Sequence, residues 1–299
     1  MNQELKELLK PEVLNTVNGL ELVARIIVEG FMSGSNKSQS MGAGQEFSQY
    51  RSYEPGDDLR QLDWKMYARS ERYFIKQAEI ETNITVKFML DASNSMSYEE
   101  AGGVSKLQYA KVLIAALAFL ARKQSDTIGL FTVNDKHVGM VRPRFEQQQF
   151  MRFLNELVNV KSESTWKQNS SLEHLYNHHS KEMIVFITDL YDADSDLQYF
   201  ISRLKTPRNE VIVFHLMGKN EYNLSYQGAF TFEDLETGQR LKVDTEVQQK
   251  TYTSQIKDWI ELSRDWMLEK KINYQLVVMD EPVENVLRDF LKVRKSLVR

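Results

Sequence analysis

The chain has 299 residues, 42% of them hydrophobic and 27% charged, with a net charge of −4. This is enough chain for one large or two small globular domains with a sizeable core, and the mild negative charge gives no electrostatic reason to expect nucleic acid as a partner. There is no cysteine, which excludes disulfides and thiolate metal sites and leaves any site chemistry to oxygen or imidazole. The N-terminal MNQELKELLK is charged and lacks the apolar centre of a signal peptide. The longest apolar run, Val112 to Ala121, is about half of what a membrane span needs, so a cytoplasmic protein without a membrane span is expected.

An amphipathic helix is predicted over 4–30, with Leu5, Leu8, Leu9, Val13, Val17, Leu20, Val23, Ile26 and Ile27 recurring at helical steps. Pro11 either starts it or splits off a leading piece. Residues 33–45, SGSNKSQSMGAGQ, read as a surface loop. Their glycines invite a phosphate-binding reading, but no G-x-x-x-x-G-K-[ST] is present. A β-rich segment over 46–82 follows: a strand to Tyr53, a turn at Glu54-Pro55-Gly56-Asp57-Asp58, a short helix over 59–69 and a strand over 73–81. It is crowded with Arg51, Arg60, Arg69, Arg72, Asp57, Asp58 and Asp63. Carboxylates interleaved with arginines keep low pKa values, which suits an internal ion-pair network better than proton transfer.

From residue 84 strands and helices alternate. Strands are predicted at 84–90, 127–133, 183–189, 210–216 and 273–279, with an antiparallel return at 137–141. Helices are predicted at 105–124, 145–160, from Ser170 or Ser171, and at 194–205, 246–271 and 283–298. A smaller β excursion occupies 219–244. This alternation implies an α/β fold, a mostly parallel sheet with helices on both faces. The segments expected are an N-terminal helix and loop (1–45), the β-rich segment (46–82) and the α/β domain (83–299).

The strand at 84–90 runs into Asp91-Ala92-Ser93-Asn94-Ser95. An apolar strand ending in Asp-x-Ser-x-Ser presents hard oxygen donors where open α/β sheets bind ligands, beyond the carboxyl ends of their strands. Asp189 ends a second such strand. Together they suit Mg²⁺ or Mn²⁺, which takes few carboxylates and retains water. Serines capping the following helix, with Asp91 bonded to loop amides, is the competing structural account. His174, His178 and His179 have partial zinc spacing without H-E-x-x-H, and a solvated helix face explains them better. An aspartyl-phosphate reading of Asp91 wants a second Asp where Ser93 stands. The terminal helix carries Arg288, Lys292, Arg294, Lys295 and Arg299, read as a charged solvent face.

Phe88 to Met96 resembles the first metal loop of von Willebrand factor A-type domains. Gly42 to Phe47, Arg51-Ser52-Tyr53-Glu54-Pro55-Gly56-Asp57-Asp58-Leu59-Arg60-Gln61-Leu62-Asp63-Trp64, Ala68-Arg69 and Phe230 to Gly238 resemble the signature of a bacterial domain-of-unknown-function family, number fifty-eight. Within that signature Arg51, Tyr53, Gly56, Asp57, Asp58, Arg60, Asp63, Trp64 and Arg69 are taken as structural. The resemblance implies a von Willebrand A-like core with metal ligands Asp91, Ser93, Ser95 and Asp189. A second-loop hydroxyl would come from Ser170, with Thr165 the nearest threonine. It further implies a partner protein that supplies a carboxylate to the metal, and association with a MoxR-type AAA+ ATPase. The function expected is a non-enzymatic, Mg²⁺- or Mn²⁺-dependent adaptor in assembly or remodelling of a partner complex. A metal-dependent hydrolase using Asp91 and Asp189, and a scaffold with a vestigial metal loop, are the alternatives.

Overall fold

A computed structural model describes residues 10–36, 49–55, 57, 62–77, 84–100, 103–134, 138–166, 182–191, 196–226 and 228–297. Two compact units partition the chain, a smaller one of residues 34–83 and a larger one made of the segments on either side.

The chain enters through α1 (Pro11–Leu14) and α2 (Val17–Asn36). Pro11 thus starts the leading turn, the break before the main helix falls at residues 15–16, and α2 runs six residues past the predicted end at residue 30. Thr16 makes the joint, its hydroxyl donating to Val13 O and accepting from Gly19 N. Gly19 is required there, because a Cβ would lie 2.1 Å from Val13 O. The smaller unit contains β1 (Gln49–Ser52), α3 (Trp64–Ser70) and β2 (Phe74–Gln77), with β1 and β2 paired antiparallel.

The larger unit continues with β3 (Thr85–Asp91), a 3-10 turn at Asn94–Ser97, the short ladder β4 (Glu99–Glu100) and β5 (Val104–Ser105), α4 (Lys106–Lys123), β6 (Thr127–Val133), β7 (Val138–Arg144) and α5 (Gln149–Asn159). Then come β8 (Glu182–Thr188), α6 (Asp196–Leu204), β9 (Asn209–Met217), α7 (Lys219–Asn223), the hairpin β10 (Ala229–Glu233) and β11 (Arg240–Asp244), α8 (Thr245–Glu269), β12 (Asn273–Val278) and α9 (Val283–Leu297).

Six strands form one sheet in the order β12-β9-β8-β3-β6-β7. All its pairings are parallel except β6–β7. Pro143 sits on the edge strand β7, where a missing N–H is tolerated. This is the α/β arrangement expected, a mostly parallel sheet with helices on both faces. Alternate residues of β3 serve two cores. Val86, Phe88 and Leu90 pack with α2, α4, α5 and α9 on one face, and Met89 with α6, Trp166 and Met267 on the other. Phe88 meets Phe153 edge-on at 5.6 Å between ring centres. The N-terminal helix, set apart in the sequence as its own segment, belongs to the first core through Leu20, Val23, Ala24, Ile27 and Val28. Among the described residues no helix is long and apolar enough to cross a membrane.

Candidate functional site

Strand β3 pairs with β6 on one side and β8 on the other. The chain leaves β3 toward β6 and only later returns to β8, so the carboxyl ends of β3 and β8 flank the topological switch point of the sheet. Asp91 ends β3, and Asp189 directly follows β8. After Asp91 the chain passes through the 3-10 turn and the β4–β5 ladder before α4 begins at Lys106. Ser105 caps it in a reciprocal box with Gln108, at 3.2 Å and 3.0 Å. Fifteen residues of α4 are buried, which anchors its first turn.

Four of the sequence-predicted ligands converge. Asp91 is fully buried; Ser93 N donates to its Oδ1 at 3.0 Å, and the Thr188 hydroxyl to its Oδ2 at 2.7 Å. Ser93 Oγ and Ser95 Oγ are 2.9 Å apart, and Ser95 Oγ donates to Asp189 Oδ1 at 3.1 Å. Tyr191 N donates to the same oxygen at 3.2 Å. Leu190, immediately after Asp189, has φ 56°, a conformation that a branched side chain adopts at a cost of about 1–3 kcal/mol. The backbone is bent so that Asp189 faces the serines.

The second loop is held against the first through its backbone. Glu163 N donates to Ala92 O at 2.9 Å and Asn94 N to Ser164 O at 2.7 Å. Asn134 Nδ2 braces both, reaching Glu163 O at 3.0 Å and Ala92 O at 3.4 Å. Ser164 has φ 66°, and half-buried Thr165 follows it. Ser170, His174, His178 and His179 lie outside the described residues.

Sequence reasoning missed four members of the site. Thr188 binds Asp91 as above. Lys106, almost fully buried, sends its ammonium to Asp189 Oδ2 at 2.8 Å and Glu221 Oε1 at 2.7 Å. Glu221 also accepts from Gly218 N at 2.7 Å. Glu236 arrives from the β10–β11 turn, with its carboxyl beside the Ser95 hydroxyl and in the field of Asp189 and Asp91. The sequence marked none of the four: Lys106 opens a largely apolar helix, but a lysine in a first helical turn rarely signals burial.

The charges of this cluster do not balance. Four carboxyl groups, Asp91, Asp189, Glu221 and Glu236, face one ammonium, Lys106. Burial pushes the Asp91 carboxyl up to about 6, and the neighbouring Asp189 adds to the effect. Burial alone would also raise Asp189, but the Lys106 ammonium outweighs it and holds Asp189 below its usual range. Burial and then Asp189 and Asp91 lift Glu236 to about 7. An excess of carboxyl groups next to the Ser93 and Ser95 hydroxyls is chemistry that a small divalent cation neutralises. Among the described residues no three His, Cys, Asp or Glu side chains come close enough to hold a metal by themselves. A cation here would therefore take serine and water oxygens as well, which is how Mg²⁺ is commonly bound. Asp91 is poorly placed as a nucleophile, since it is fully buried with both oxygens engaged.

The signature segment in the smaller unit is a turn and a cap. Asp57 Oδ2 accepts from Glu54 N at 2.9 Å, and Asp63 Oδ1 accepts from Lys65 N at 2.9 Å and Met66 N at 3.0 Å. Tyr67 stacks on Tyr73 at 4.5 Å, and Trp64 lies edge-on to Tyr67. Gly56, Asp58 and Arg60, and the side chain of Arg51, lie outside what is described.

Residues 49–258 match the family described as "Protein of unknown function DUF58". The chain belongs to the DUF58 family. Among curated proteins it is similar to the uncharacterized protein Mb1516 of Mycobacterium bovis and to Rv1480 of Mycobacterium tuberculosis, each 22% identical over 232 residues, covering 76% of this chain and 72% of the relative. Among solved structures it is similar to BatB from Bacteroides thetaiotaomicron, with 13% identity, TM-score 0.45 and coverage of 71% of this chain and 100% of that one. An aerotolerance-related membrane protein from Bacteroides fragilis gives 15% identity, TM-score 0.45 and coverage of 70% and 98%. A likeness of this size carries no weight for function.

Proposed function

We propose that this DUF58 protein is a non-catalytic protein-binding module whose recognition site is a divalent cation, Mg²⁺ or Mn²⁺, held at the carboxyl ends of β3 and β8. The observation that carries this reading is the convergence of Asp91, Ser93, Ser95 and Asp189 within a 2.9–3.1 Å hydrogen-bonded set at the sheet's switch point. Ser93 and Ser95 would be the direct ligands, with Asp91 and Asp189 supplying the charge. Thr165 is a candidate for the second-loop hydroxyl beside Ser170, because its neighbours Glu163 and Ser164 are bonded to the metal loop. The bound cation would supply an electrophilic contact for a carboxylate of the partner. The engaged oxygens of Asp91 favour binding over hydrolysis.

The family resemblance adds a MoxR-type AAA+ ATPase as the partner to test first, in remodelling of a third complex. The test is co-purification with that ATPase in Mg²⁺ and in EDTA, for wild type and Asp91→Ala. Capture lost in both EDTA and the variant is the expected result. Capture that ignores both would remove the cation from the mechanism, and hydrolysis of a phosphate ester abolished in Asp91→Ala would replace the module with an enzyme.

A further inference from the structure

The hairpin β10–β11 stands apart from the six-stranded sheet and is mostly solvent-exposed on both strands. Its turn is nevertheless ordered toward the site. Asp234 Oδ1 accepts from Glu236 N at 2.8 Å and Thr237 N at 3.0 Å, and Gly238 N closes onto Asp234 O at 2.8 Å. Gly238 adopts the left-handed backbone (φ 71°) that this tight return needs. The Tyr191 hydroxyl, two residues after Asp189, donates to Asp234 Oδ2 and pins the turn over the strand ends. The consequence falls on Glu236. Among the described residues its Oε1 is buried with no hydrogen-bond partner, although the same side chain lies beside Ser95 and in the field of Asp189 and Asp91.

A carboxyl oxygen buried among other carboxyls with no hydrogen-bond partner is costly, and a cation would complete its surroundings. We propose that Glu236 is the chain's own carboxylate ligand for the cation at this site, and that the β10–β11 hairpin is a displaceable plug occupying in cis the position an acidic side chain of a partner would take in trans. This rests on the reading of the site as a cation-binding one. The hairpin suits the role, because an isolated two-stranded ribbon is marginally stable and opens at little cost. Its exposed Leu235, Phe230 and Leu241 are the apolar neighbours a competing acidic segment would meet. Binding by a partner would then exchange one carboxylate for another at the same cation, and its strength would depend on how firmly Tyr191 holds Asp234.

The test titrates Mn²⁺ into the full chain by calorimetry and follows hydrogen exchange over residues 229–244 with and without Mn²⁺. Wild type, Asp91→Ala, Glu236→Gln and, as a control on the same hairpin, Glu233→Gln are compared. In wild type and Glu233→Gln, Mn²⁺ should bind and slow exchange in the hairpin. Glu236→Gln should bind at least about tenfold more weakly, with hairpin exchange indifferent to the ion, and Asp91→Ala should not bind. If Asp91→Ala abolishes binding while Glu236→Gln matches wild type in affinity and hairpin protection, the plug is overturned and the cation site stands. If wild type binds no Mn²⁺, the cation site falls and the plug with it.

Discussion

Ser95 Oγ donates to Asp189 Oδ1 at 3.1 Å, joining positions 94 residues apart in the chain. Ser95 is also the acceptor for Ser93, so its hydroxyl links the metal loop to the end of β8. Ser95→Ala would leave buried Ser93 Oγ without this partner, at a cost of about 1–3 kcal/mol. Urea unfolding in EDTA should show that loss, and Mn²⁺ calorimetry on the same variant should show weakened binding.

Asp91→Asn should separate stability from function. The Asp91 carboxyl is charged at neutral pH against both burial and Asp189. Removing its charge relieves that repulsion, so in EDTA the variant should be more stable than wild type by roughly 1–2 kcal/mol. Added Mg²⁺ should raise the melting temperature of wild type and leave the variant unchanged. Thermal unfolding in the two buffers checks both statements.

Lys106→Met should act the other way. The variant strands buried Asp189 and half-buried Glu221 without their ammonium. Breaking a buried pair from one side costs on the order of 3–5 kcal/mol. The double variant Lys106→Met/Asp189→Asn should recover part of that loss in urea unfolding, giving a clear coupling energy between the two positions.

Lys111 gives a pH signature away from the site. Its ammonium is buried and donates to Val158 O at 2.8 Å and Val160 O at 2.7 Å, and burial draws its pKa down to about 8. The unfolded chain holds that proton until about pH 10.4. Between the two values the unfolded state binds more protons, so stability rises with pH across this window, by at most about 1.4 kcal/mol per pH unit. Below pH 8 both states are protonated and the burial penalty is fully present. Urea midpoints measured from pH 7 to 9.5 should rise in wild type relative to Lys111→Met, and a parallel course would contradict the shift.

The sheet was legible from the sequence because its strands are buried on both faces and read as continuous apolar runs. The predicted 84–90 is Thr85–Asp91, and the predicted 127–133 is Thr127–Val133. Asp91 and Asp189 were legible for a related reason: each is the first charged residue after such a run. Glu236 was not, since a glutamate in a Glu-Thr-Gly turn reads as solvent-facing, while the Tyr191–Asp234 bond holds that turn at the site. Lys106 was hidden similarly, as a lysine in a first helical turn rarely signals burial. In the smaller unit the arginine and aspartate crowding suggested ion pairs; the described Asp57 and Asp63 also bond backbone amides of a turn and a cap. Those short-range bonds are local preferences of aspartate that the sequence did carry.

The packing of α2 bears on how this protein can be divided. A fragment beginning at residue 84 contains every strand of the six-stranded sheet, yet it discards Leu20, Val23, Ala24, Ile27 and Val28, each at most 1% exposed. What α2 covers would then face water as one contiguous apolar surface, the kind that drives self-association. Such a fragment should sediment as aggregates, and adding the N-terminal helix back as a separate peptide should restore a monodisperse species.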